Sequence, residues 1–336
     1  MRTWTSLQFL LLSLCIVRGD VSPQTSVSPA LLVVNQGDRN ISFIDPSTNR
    51  QIATVSEGET VGHGHEIAIL PEGRIAYVPI YSNTGVGKPG LNGREILVVD
   101  IPRRKVIGHI DFGRGVRPHC PVYDPVTGLL YVTTELDNTV TVVDPRNLTI
   151  AGVIPTRQQQ SHMLAISHDG RRGYTANVMP GTVSVLDLRA RTTLAIVHGL
   201  GQGQRISISP DDTRVFVPDQ TKPRLAVIDT ATNAIRTWIS LPSIGFSSTP
   251  TPDGRWLLVT LKSANKLGVI DLSTRTMVHT IDLPAGPQEI VVGPANNLVY
   301  VSCIRSGKVA VVDTSTWTIS ALVDAGAGAD GLAWAP

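Results

Sequence analysis

Cysteine is scarce in this chain, with three residues in 336, and only Cys120 and Cys303 lie outside the N-terminal apolar stretch. A disulfide framework is therefore not available, and a core of this size does not need one. No Cys-x-x-Cys-His run occurs, which excludes covalently attached c-type haem. Charged residues make up only 17%, the formal net charge is +2, and Lys and Arg are scattered, so there is no basic footprint for nucleic acid. Long hydrophobic runs are missing too. The longest, Leu7 to Val17, has 11 residues where a bilayer span needs about 18. No phosphate-cradling glycine motif opens a helix, the Gly199–Gly203 run lies between strand-like segments, and a nucleophile elbow is absent. Nucleotide use and serine-hydrolase chemistry thus find no support.

What the chain does have is glycine and proline, 30 and 23 residues, which punctuate it too often for long helices, and 42% hydrophobic residues arranged in short runs. Arg2, the Leu7–Val17 stretch and Val17-Arg18-Gly19 ahead of Asp20 form a signal-peptide pattern over 1–19. Cys15 follows the bulky Leu14, which does not suit a lipoprotein site. The Ser/Pro-rich segment 20–29 reads as a linker, leaving 30–336 as the folded part. The expected location is secreted or periplasmic. Asn40-Ile41-Ser42 and Asn147-Leu148-Thr149 are glycosylation sequons, which matter only in a eukaryotic host.

An aspartate closes an apolar run seven times, at Asp45, Asp100, Asp144, Asp187, Asp229, Asp271 and Asp313, at intervals of 55, 44, 43, 42, 42 and 42 residues. A period near 42 built of several short strands specifies a propeller, each repeat being one small sheet. Residues 129–144, LLYVTTELDNTVTVVD, show two strands joined by an Asp-Asn turn, followed by a third strand in PRNLTIAGVIPT and an inner strand in HMLAISHDG. The expected fold is all-β, a seven-bladed propeller. Because the chain begins on the second strand of a blade and ends on the inner strand ADGLAWAP (329–336), the last strand should complete the first blade. The seven aspartates are read as turn formers, since a feature repeated in every blade serves structure.

YVTT (131–134), YVPI (77–80) and YVSC (300–303), together with the exit turns SPDD (209–212), TPDG (251–254) and SHDG (167–170), resemble the YVTN-type β-propeller repeat family over residues 30 to 336. This resemblance implies the fold. It leaves function open, because the family includes binding, surface and cofactor-bearing proteins.

Function is sought where the repeats diverge together. Aligned on their exit turns, the inner strands place His65, His119, His162, Gln204, Phe246, Gln288 and Asp330 at one position. Ring closure sets Asp330 beside His65, giving the order Asp, His, His, His, with Gln288 and Gln204 flanking. Three imidazoles and a carboxylate at one channel mouth can hold Zn, Cu or Fe with a coordination position left open. His63 is a spare ligand or a supporting group, and Asp330 is the fourth ligand or a general base. An empty polar channel with ordinary histidines is the plain alternative.

Arg205, Glu66 and Glu289 follow one position along the inner strands, and Glu135, Lys222, Lys262 and Arg305 occupy equivalent loops of the same face. Each is a candidate for substrate contact, with solvated surface as its ordinary role. The first interval is long because of IYSNTGVGKPGLNG (80–93), a candidate lid or specificity loop. Cys120 is expected to turn away from His119 and to pack. Two functions follow: a monomeric, metal-dependent hydrolase or oxidoreductase acting on a small molecule, or a non-catalytic propeller that binds a ligand or protein on its upper face.

Overall fold

Apolar runs such as ILVVD and VAVVD have no polar alternation because their strands are covered on both sides. The computed structural model describes Met1 and residues 28–295 and 297–336, so the expected signal peptide and nearly all of the linker lie outside the described residues. Within them the strands form seven sheets arranged as the blades of a β-propeller. The second and third strands of each blade are buried almost throughout, as in Ala30–Asn35 and Thr139–Asp144, because adjacent sheets pack face to face. The outermost strands, such as Arg50–Ser56 and Thr318–Asp324, alternate between exposed and covered residues.

The ring closes as expected. Ala329–Ala335 is the inner strand of blade 1, pairing antiparallel with Ala30–Asn35 from Ala30↔Ala335 to Asn35↔Ala329. Its register puts Leu332 into the same apolar cluster as Leu31, Val33 and Val311, so the two chain ends share one core. The repeated aspartates cap turns: Asp45, Asp187, Asp229, Asp271 and Asp313 each accept a backbone N–H two residues on, at 2.7–3.1 Å.

The inner strands are less regular than their alignment implies. Those of blades 3, 4 and 7, Pro118–Asp124, Ser161–Ile166 and Pro287–Val292, break register near the aligned position. In blades 5 and 6 the strands are only Ser207–Ile208 and Ser248–Pro250, so Gln204 and Phe246 precede them. In blade 2 His65 falls between His63–Gly64 and Ala68–Ile69. Where pairing lapses, a hydroxyl from the second strand takes over. Thr133 Oγ1 accepts the Cys120 N–H at 3.0 Å and donates to the His162 carbonyl of the next blade at 2.7 Å. Thr260 does the same between Ser247 and Gln288, at 2.9 and 3.1 Å. The irregularity is a bulge that turns side chains into the channel, and these threonines stitch neighbouring blades together at that height.

Candidate functional site

At the channel mouth the bulges bring the three aligned histidines together. The His65 and His119 ring centroids are 5.3 Å apart, and those of His119 and His162 are 3.7 Å apart with planes tilted by 31°. His63 stacks on His65 at 4.9 Å, nearly parallel. His119 and His162 are buried, at 1% and 3% exposure. Burial is the main force lowering the pKa of all three aligned imidazoles. His65 and His119 fall well below the ordinary value, helped by their histidine neighbours and Arg205, and His162 falls to about 3. The cluster is therefore neutral at physiological pH.

His162 Nε2 lies 3.2 Å from the Gln204 amide, its hydrogen-bond partner. His65 Nε2, His119 Nδ1, His162 Nδ1 and His63 Nδ1 are buried with no hydrogen-bond partner.

Tyr81 belongs to this group although the repeat alignment gives it no role. Its ring meets His65, His119 and His162 at 4.9, 4.8 and 5.8 Å. The signal for it was the extended second strand of blade 2, Ile75–Ser82, two residues longer than its counterpart Leu129–Thr134. Gly93 permits that extension, because a Cβ there would stand 1.7 Å from the Ile80 carbonyl oxygen. The Tyr81 hydroxyl donates to Glu135, so this carboxylate is buried and does not face solvent. Glu135 also accepts the Gly87 N–H at 3.2 Å and lies 3.7 Å from Arg117. Arg117 in turn donates to Asn92 Oδ1 and the Lys88 carbonyl at 2.7 and 2.8 Å. The blade 2 insertion is thus tied down onto blade 3, over a polar cleft of about 570 Å³ that reaches Gln160.

Arg205, Glu66 and Glu289 are not solvated surface. Arg205 is 4% exposed and lies 2.7 Å from Glu66, 3.2 Å from Asp330 and 3.6 Å from Glu289. Three carboxylates thus converge on one buried guanidinium. Burial accordingly pushes Glu66 well up and Glu289 up, partly offset by Arg205. Asp330 also accepts a hydrogen bond from the Gln36 amide and stands 3.8 Å from His65 Nδ1. Gln288 is buried with its Oε1 unpartnered. Of the loop candidates, Lys222 is exposed, whereas Lys262 is half-buried with its Nζ 4.0 Å above the Phe246 ring. Cys120 packs as expected, its thiol 3.7 Å from the Leu164 carbonyl.

The donor set suits a transition metal: three neutral imidazoles, each with one buried ring nitrogen that has no hydrogen-bond partner. Their placement suits it in part. A tetrahedral ion bound at 2.0–2.1 Å requires imidazole centroids about 5 Å apart, which His65 and His119 meet at 5.3 Å and His119 and His162, at 3.7 Å, do not. Among the described residues, no group of three or more His, Cys, Asp and Glu side chains is already arranged to hold an ion.

No protein-family model matches the chain, and no curated protein matches it. Solved structures do. Hydrazine synthase of Kuenenia stuttgartiensis superposes with a TM-score of 0.74 at 18% identity, over 85% of this chain and 92% of that one. A functionally unknown protein from Desulfotomaculum acetoxidans DSM 771 gives 0.75 at 14%, over 91% and 98%. Dihydro-heme d1 dehydrogenase NirN in complex with DHE gives 0.64 at 15%, over 90% and 74%. At these identities the likeness is one of fold: the protein is a seven-bladed β-propeller. No helix among the described residues is long and apolar enough to cross a membrane.

Proposed function

We propose that the channel mouth is a small-molecule site built on a divalent transition metal ion, Zn, Cu or Fe. His65, His119 and His162 hold the ion, and the protein is an exported hydrolase or oxidoreductase. The observation that carries this reading is the cluster of three neutral imidazoles, each with a buried ring nitrogen that has no partner. An unsatisfied buried polar atom costs about 1–3 kcal/mol, so several at one spot point to a group that binds there. The ion would supply Lewis acidity for hydrolysis or, as Cu or Fe, electron transfer. His63 stacks on His65 and fixes its ring plane. Asp330, braced by Arg205 and Gln36, stands beside His65 as fourth ligand or general base. Two of the structural neighbours have enzyme names and one is in complex with DHE, which supports a propeller of this shape as a frame for chemistry. The YVTT, YVPI and YVSC signatures support a YVTN-type repeat, and residues 1–19 support export.

Metal analysis of protein purified without chelators tests the reading. Near-stoichiometric Zn, Cu or Fe is expected, and it should vanish in the His119→Ala/His162→Ala double variant. Adding the ion back to stripped protein at 100 times its Kd should raise stability by about 2.7 kcal/mol. A protein that is metal-free as purified and whose melting is unmoved by all three ions overturns it. The close stacking of His119 on His162 would then favour the second reading, a propeller that binds a ligand or partner without metal.

A further inference from the structure

Across the mouth from the histidines, blades 5, 6 and 7 border an open recess of about 360 Å³, lined by Ile244, Phe246, Gln220, Lys262 and Arg305 among others. That volume lies at the lower end of the range for small-molecule sites. Its walls combine apolar surface, from Ile244, Gly245 and the Phe246 ring, with polar groups that are mostly donors, and no Asp or Glu lines it. Among the described residues, Lys262 Nζ has no carboxylate within ion-pair range, and it lies 4.0 Å above the Phe246 ring. Among the described residues the exposed Arg305 forms no ion pair, and its guanidinium donates to Asn265 Oδ1 at 3.2 Å. Gln220 Nε2 is a buried donor with no partner. Two unneutralised cations and an orphan amide thus surround an apolar recess.

The rest of the mouth gives this recess a direction. The Arg205 guanidinium lies 5.5 Å from the Phe246 ring on one side and reaches Glu66, Glu289 and Asp330 on the other. An anionic group is therefore repelled from the carboxylate side and drawn to the Lys262 side. A neutral, donor-poor apolar ligand would leave Gln220 and both cations unanswered.

We infer that this recess is a subsite for the carboxylate of a small, apolar-bodied monocarboxylic acid, which Lys262, Arg305 and Gln220 bind while Phe246 and Ile244 hold the adjoining hydrocarbon. A substrate seated this way extends its far end toward Arg205 and the histidines. The inference rests on the channel mouth being a small-molecule site; it does not rest on the metal.

The test is calorimetric titration of the full chain, stripped with chelator, with benzoate and with its neutral counterpart benzyl alcohol. Benzoate is expected to bind saturably and at least tenfold more tightly than benzyl alcohol. Lys262→Met, which keeps the apolar stem, should weaken benzoate at least tenfold, Arg305→Gln severalfold, and Lys262→Arg little. Adding Zn to the stripped protein should leave benzoate affinity unchanged. Benzoate no tighter than benzyl alcohol, binding unchanged in a folded Lys262→Met, or binding that appears only with added Zn overturns the subsite. Should Lys262→Met fail to fold, Arg305→Gln decides by the same criterion, unchanged binding counting against the subsite. Metal uptake without benzoate binding would sink this inference alone, and benzoate binding by a protein that takes up no metal would sink only the metal reading.

Discussion

Lys262 shows at the scale of one side chain how binding and stability oppose each other. Burial lowers its pKa from the ordinary lysine value to about 8, reinforced by Arg205 and Arg305 and resisted by Asp330. A lysine whose folded pKa lies below its unfolded one binds fewer protons folded than unfolded between about 8 and 10.4, so stability rises with pH across that window. Its penalty is complete below pH 8 and disappears above the unfolded value. Lys262→Met should therefore melt higher than wild type at pH 7, with the advantage shrinking toward pH 10. A melting difference that is the same at both pH values would show that the charge carries no penalty. A residue that costs stability while facing a recess is what a binding role predicts. The equivalent-loop position of Lys262 was legible in the sequence, but its 4.0 Å contact with Phe246 was not: both belong to blade 6, and the contact depends on the direction of the lysine side chain, which spacing along the repeat does not encode.

At the scale of strands, site geometry depends on the second strand as much as on the inner one. The period and the terminal aspartates were fully legible, because each repeat uses the same turn chemistry and the same burial pattern. The histidine alignment was legible for a related reason, since equal spacing from the exit turns puts side chains at equal height. The bulges were not, because they arise from a hydroxyl that substitutes for a ladder bond, and the threonine of YVTT reads as an ordinary strand former. Thr133 links Cys120 of its own blade to His162 of the next. Thr133→Val keeps the shape and leaves the Cys120 N–H and His162 carbonyl unsatisfied, so a loss of about 1–3 kcal/mol is expected in urea unfolding. Affinity for the proposed metal ion should fall as well, because the His162 backbone loses its anchor. Unfolding midpoints and Zn affinity both within error of wild type would remove the bulge from any role in holding the site. Arg205 was legible as a candidate for substrate contact, but its burial among carboxylates was not, for a reason particular to rings. Its partners Glu66, Glu289 and Asp330 come from three other blades, and only closure brings them to one guanidinium.

Closure is the feature that belongs to the molecule as a whole. The strand Ala329–Ala335 supplies the inner edge of blade 1, completes the apolar cluster of Leu31, Val33 and Leu332, and brings Asp330 to Arg205 and His65. Each blade alone is a small sheet that cannot bury both faces, so stability is shared between neighbours and a gap anywhere weakens the entire ring. Removing residues 329–336 strips Ala30–Asn35 of its inner partner and exposes a flat apolar edge, a template for aggregation. The truncated chain is expected to lose its single cooperative melting transition and to elute as aggregate. Asp330→Asn, which retains the strand and removes only the charge, should elute as the wild type does and melt cooperatively. Circular dichroism melting with size-exclusion chromatography separates the two. If the truncated chain melts as sharply as wild type and elutes at the wild-type volume, closure by the last strand is dispensable, and the channel mouth must owe its shape to contacts between blades alone.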